Sequence, residues 1–84
     1  MSTPATVEVH GPAIREIRIR SGMGVAALAA AAGVTRSHIA NIELGQRRRL
    51  TPKTFNALVA ALAISDRRAI LANPYGADAQ SDVA

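Results

Sequence analysis

Residues 25–45 of this chain, VAALAAAAGVTRSHIANIELG, leave little choice of local structure. The first part is a run of small residues around Leu28, and methyl-sized side chains let two helix backbones approach closely. Gly33 follows, and without a Cβ it tolerates the positive φ of a sharp bend. Thr35 then suits the N-cap of a second helix, where its hydroxyl accepts from an early helical amide, and Val34 can staple against Ile39. At 100° per residue, Ile39 and Ile42 lie on one side, while Arg36, Ser37, Ala40, Asn41 and Leu44 fill an arc of roughly 140° on another. One face is core and the other is presented. Gly45 can take the left-handed conformation that ends the helix.

The rest of the chain reads as support for this pair. Gly11-Pro12 opens a first helix, because proline at an early position loses no intrahelical bond. Ile14 and Ile17 share its inner face with Arg18 beside them. Ile19 points elsewhere: toward Val7 or Val9, into a dimer surface, or singly into solvent, the last being the ordinary case. Ser21-Gly22-Met23-Gly24 breaks the helix, with Met23 expected under the core. After Gly45, Gln46-Arg47-Arg48-Arg49-Leu50 reads as a loop too charged to bury. Thr51-Pro52 caps a further helix with Phe55, Leu58, Val59 and Leu62 at helical spacing, and Ser65-Asp66 starts a short fifth helix through Ala72, stopped by Asn73-Pro74. Thr6-Val7-Glu8-Val9-His10 alternates as a strand does, but a lone strand in a helical chain lacks a partner, so residues 1–10 read as an extended or disordered arm, or an edge pairing with a second copy. Residues 73–84 have no periodicity and read as a disordered tail.

Composition agrees. Eighty-four residues make one domain at most, expected to leave no room for a separate effector domain. Apolar residues are 49 % of the chain but many are alanine, and the only aromatics are Phe55 and Tyr75, which fits a helical bundle better than a sheet. The absence of cysteine excludes disulfides and thiolate metal sites. His10 and His38 have no companion at metal-ligand spacing, so no metal is expected. Gly22-Met23-Gly24 follows a helix and lacks a third glycine, so it is no dinucleotide loop, and no cofactor is expected. No acid pair or nucleophile-base pair emerges, which argues against an enzyme. No apolar run approaches a membrane span and no secretory signal is evident, so a cytoplasmic protein without membrane association is expected. The net charge of +4 and pI near 11.2 point toward polyanions. Distribution says more than the total, since Arg47, Arg48, Arg49 and Lys53 cluster just beyond the presented helix.

Leu28-Ala29, Gly33-Val34-Thr35, Ile39, Ile42-Glu43-Leu44-Gly45 and the basic run after them resemble the Cro/C1-type helix-turn-helix family of phage and bacterial regulators. The resemblance spans residues 14–64 and implies an all-α, compact five-helix lambda-repressor-like domain over residues 11–72. It implies that the helix starting at Arg36 enters the DNA major groove. Arg36, Ser37, Ala40 and Asn41 stand at the base-reading positions, with suitable chemistry: Arg can be bidentate to guanine, Asn to adenine, Ser is permissive, and Ala can touch a thymine methyl. Phosphates would be gripped by Arg47, Arg48, Arg49 and Lys53, and by amides at the two helix starts after Gly24 and Thr35. Arg18 and Glu43 match positions that form a buried ion pair in the family, a structural role. Val25 departs from the pattern, standing where a glutamine often binds backbone.

The function this implies is sequence-specific binding of a double-stranded operator by a transcriptional regulator, a phage-type repressor or Cro-like protein acting as a homodimer. The alternative is an antitoxin-like module that sequesters a protein partner, with DNA binding secondary. Single-strand binding is weaker still, because such proteins stack bases on aromatic platforms that this chain lacks.

Overall fold

The computed structural model describes residues 6–72. In chain order these form β1 (Val7–Glu8), α1 (Gly11–Arg20), α2 (Val25–Ala32), α3 (Arg36–Glu43), β2 (Arg49–Leu50), α4 (Pro52–Ala61) and a single 3-10 turn, Arg67–Ile70. Each helix starts as its residues dictate. Pro12 occupies the first turn of α1, and Pro52 that of α4, where a missing amide hydrogen costs no intrahelical bond. Thr35 and Thr51 cap α3 and α4, their hydroxyls accepting from the amides of His38 at 3.0 Å and Thr54 at 3.2 Å.

The helices pack round one core in which Ile14, Leu28, Ile39, Ile42, Leu58 and Ile70 are fully buried, each such side chain stabilising the fold by roughly 1.5–3 kcal/mol relative to exposure. Leu28 and Ala29 are the buried residues of α2, and the alanines let it lie against both α3 and α4. Met23, Ile17 and Val34 are half-buried against the same core. Ile19 stands 48 % exposed on α1. A Cβ on Gly11 would collide with the Ile42 carbonyl oxygen and lie 2.9 Å from that of Glu43, so the start of α1 rests directly on the end of α3.

Two expectations need correction. Four α-helices are present among the described residues, and a four-residue 3-10 turn stands where a fifth helix is expected. Asp66 does cap it, its carboxylate accepting from the Arg68 amide at 3.0 Å. The turn stops early because Leu71 is drawn out into extended backbone that bridges Val9, with the Ala72 amide donating to the Glu8 carbonyl at 3.1 Å and the His10 amide to Ile70 at 2.8 Å. A longer helix would consume those groups. The second correction concerns the alternating segment before α1, which finds its partner within the chain. β1 pairs antiparallel with β2, matching Val7 to Leu50 and Glu8 to Arg49. The basic stretch accordingly ends in a strand, and Leu50 is buried. The expected disordered ends, residues 1–5 and 73–84, lie outside the described residues.

The carboxyl of Asp66 is held below the ordinary carboxylate range, first by the Arg68 side chain and then by the Arg68 amide. A depressed acid stabilises above its unfolded pKa, so this cap is intact at neutral pH and is lost only as the acid protonates.

α3 and α4 end alike. After α3 the amides of Gly45 and Gln46 return to the carbonyls of Ile42 and Asn41, and after α4 those of Ala63 and Ile64 return to Ala60 and Val59. The residue at the bend is left-handed in both, but at φ +53° it is alanine, Ala63. That conformation costs an L-residue roughly 1–2 kcal/mol, against roughly 0.5–1 kcal/mol for glycine's extra freedom when unfolded. Ala63→Gly should therefore stabilise the chain by about 0.5–1 kcal/mol in urea denaturation, with an unchanged m-value.

Candidate nucleic-acid interface

Gly33, at φ +74°, turns the chain between α2 and α3, and the Val34 amide returns to the Ala29 carbonyl at 3.0 Å. A β-carbon would strain this bend, so the glycine sets the angle at which α3 leaves α2. Ile39 and Ile42 hold α3 down on the core. That seating leaves Arg36, Ser37 and Asn41 exposed along one side, with Ala40 half-buried between them and Leu44 71 % exposed at the far end. The four residues expected to meet bases thus share one open surface.

Beyond α3 the chain folds back at once. The Asn41 carbonyl accepts from both Gln46 at 2.9 Å and Arg47 at 3.1 Å, so the basic run begins over the last turn of the helix. Gln46, Arg47, Arg48 and Arg49 line one shallow, open depression. Arg48 leans back, its Nε donating to the Gly45 carbonyl at 3.4 Å. Lys53 is exposed on the first turn of α4 and is not part of that depression.

The acids explain the charge left on this surface. The four acidic side chains among the described residues each face an arginine: Glu8 faces Arg49, Glu16 faces Arg20, Glu43 faces Arg18 and Asp66 faces Arg68. Arg36, Arg47, Arg48 and Lys53 have no such partner among the described residues and keep their charge open to a polyanion.

Arg18 and Glu43 form the one buried pair among these. They are 8 % and 7 % exposed, and the guanidinium meets the carboxylate twice, Nε to Oε2 at 2.7 Å and Nη2 to Oε1 at 3.0 Å. The remaining terminal nitrogen, Nη1, donates to the Met23 carbonyl at 2.9 Å. Bidentate geometry of this kind is the strongest an ion pair offers. The Glu43 hydrogen bond raises the arginine's pKa against the opposing effect of burial, so its charge is secure at any ordinary pH. The pair ties α1 and the turn after it to the last residue of α3.

The α2 start at Gly24 and an exposed His10 agree with the sequence, whereas the packing role of Val25 and the surroundings of His38 come from the fold. Val25 is half-buried against the core, so its side chain serves packing, and the α2 start has Gly24 as its N-cap with no side-chain cap. His10 is exposed. The Nε2 atom of His38 is buried with no hydrogen-bond partner among the described residues. The contact of Arg18 with Met23 and the pairing of Glu8 with Arg49 also carry no local sequence signal, since both depend on how distant segments meet. Among the described residues no three histidine or carboxylate side chains gather as a metal site would need, and no helix is long and apolar enough to cross a membrane.

Removing one member of a buried pair leaves the other charged and desolvated. Glu43→Ala should cost about 3–5 kcal/mol of stability, whereas an Arg18→Met/Glu43→Met double variant, which leaves no buried charge and only the Met23 carbonyl without its donor, should lose much less. Thermal melts followed by circular dichroism check both.

Comparison with known proteins follows the same outline. Residues 11–71 match the model of a helix-turn-helix domain family. Among solved structures, the chain is 32 % identical to the restriction-modification controller protein C.AhdI from Aeromonas hydrophila, with a TM-score of 0.64 over 70 % of this chain and 86 % of that one. It is 32 % identical to the wild-type restriction-modification controller protein C.Esp1396I, with a TM-score of 0.60 over 67 % and 71 % of the two chains. The clp gene regulator ClgR from C. glutamicum is 25 % identical, with a TM-score of 0.60 over 66 % and 70 %. No curated protein matches. With a glycine-turned helix pair at its centre, a domain model matched over most of its length and regulators as structural neighbours, the chain belongs to the helix-turn-helix family of DNA-binding transcription regulators, of the Cro/C1 type.

Proposed function

We infer that this protein occupies an operator in double-stranded DNA by laying α3 in the major groove, and so controls transcription in the cytoplasm. The observation that carries the reading is the joint exposure of Arg36, Ser37 and Asn41 on α3 with an arginine-lined depression immediately beyond its end. In this reading Arg36, Ser37, Ala40 and Asn41 meet base edges, while Thr35, at the capped helix start, and Arg47, Arg48, Arg49 and Lys53 meet phosphates. The two classes of contact divide the work: phosphates hold the register and bases select the site.

An eight-residue helix is about 12 Å long and spans few base pairs, which favours two copies acting together on a two-fold operator. A homodimer would place its half-site centres about one helical turn apart, roughly 34 Å. A compact repressor of the phage or Cro type fits this arrangement, and the likeness to two restriction-modification controllers makes a controller of that kind an equal fit. The same likeness favours a DNA-directed regulator over an antitoxin-like partner of another protein.

Sedimentation on a duplex selected from random sequences should find two copies per site at saturation, and one copy on an asymmetric site would count against the dimer. A salt titration separates the two kinds of contact. Asn41→Ala should cost about 1–3 kcal/mol on the selected duplex and little on a scrambled one, because one bidentate base contact carries that much discrimination. Arg48→Ala should weaken both alike and flatten the plot of log affinity against log salt by about 0.9. Equal loss on both duplexes for Asn41→Ala would refute the major-groove role of α3.

A further inference from the structure

Glu8 stands apart from the other acids because its arginine belongs to the proposed phosphate-gripping run. The antiparallel register sets Glu8 opposite Arg49, and the neighbouring Val9 amide donates to the Arg48 carbonyl at 2.8 Å. Hydrogen bonds toward β2 thus arise at Val9, whereas the Glu8 carbonyl faces the other way and accepts from Ala72. Glu8 and Arg49 are therefore a non-hydrogen-bonded cross-strand pair, the kind whose side chains stand closest. The Glu8 Oε1 lies 4.0 Å from Arg49 Nη2, with the Arg49 side chain 68 % and the Glu8 side chain 44 % exposed. Arg49 lines the same depression as Arg47 and Arg48. One carboxylate consequently sits at the edge of the arginine cluster, carried on the strand that holds the cluster in place.

We propose that Glu8 is a positioning and affinity-limiting residue for phosphate binding: it holds Arg49 in the free protein and must yield it to a duplex phosphate in the complex. The proposal rests on the DNA-binding reading above and adds a regulating group to that site. Two effects act in the same direction. Arg49 must give up a partner on binding, and the released carboxylate then remains near the DNA backbone. Because phosphates carry no base identity, the limit on affinity should be the same for every sequence. Exposed ion pairs contribute little to stability, so the fold should not depend on Glu8.

The test uses the full chain as wild type, Glu8→Gln, Arg49→Gln and the double variant, each titrated by anisotropy with a fluorescein-labelled mixed-sequence duplex over a salt series, beside thermal melts. Glu8→Gln should bind about three- to fivefold tighter at low salt, the size an exposed pair supports, with a steeper salt dependence and an unchanged melting temperature. In the Arg49→Gln background the same substitution should tighten binding clearly less, because only the repulsion between carboxylate and phosphate is then left to remove. Equal tightening in both backgrounds would mean a general charge effect and would overturn the pairing, as would no tightening in either. If the wild type binds no duplex at any salt, the DNA-binding reading itself fails. If the wild type binds and Glu8→Gln is neutral, only the role of Glu8 fails.

Discussion

A guanidinium and a carboxylate withdrawn together from water are costly to separate, and in this protein that pair decides where the presented helix points. Arg18 reaches from α1 to both oxygens of Glu43 and to the Met23 carbonyl, so a single side chain joins the first helix, the turn after it and the last residue of α3. Hydrophobic contact alone would tolerate rotation of α3 about the Ile39 and Ile42 contacts, since burial is roughly proportional to area and has no direction. A bidentate pair has direction, and it sets the end of α3 relative to α1. The close rest of Gly11 on the carbonyls of Ile42 and Glu43 acts at the same place, since it removes the space into which α3 could shift.

The charges follow from this economy of acids. Among the described residues each carboxylate is engaged by an arginine, one in the interior and three in solvent. The cations with no acidic partner there include Arg36 on α3 and Arg47 and Arg48 just after it. Arg15 on α1, Lys53 on α4 and Arg67 in the 3-10 turn lack a partner there as well, but Arg36, Arg47 and Arg48 stand on or just beyond one short helix, and a polyanion would feel that local field more than the sum.

The short strands bind the two ends of the domain to its centre. β1 lies between β2 on one side and the bridge at Leu71 on the other, so the segment before α1 holds both the arginine run and the close of the 3-10 turn. Few residues are involved, but each backbone bond satisfies a group that would otherwise face the core edge unpaired. Arg67, lying 5.7 Å over the Phe55 ring, covers the neighbouring margin of the core.

What the residues themselves determined is everything governed by nearest neighbours along the chain. The threonine caps, the left-handed glycines at 33 and 45, the proline starts and the apolar spacing of Ile39 with Ile42 all act within a turn or two, so the helices and the exposed arc of α3 were legible in advance. The ion pair of Arg18 with Glu43 was legible only through family resemblance, because nothing local marks an arginine that will bury itself 25 residues away. Tertiary structure alone decided the rest. The alternation at residues 6–10 announced a strand, but its partner was a stretch whose arginines outweighed one buried leucine, and strand pairing depends on which backbone edges are brought together. The same competition shortened the expected fifth helix: Asp66 could start a turn, but the carbonyl of Glu8 and the amide of His10 claimed the backbone groups that would have continued it. Local propensity proposes an element, and where its hydrogen-bonding groups meet a distant edge that needs them, the distant edge prevails.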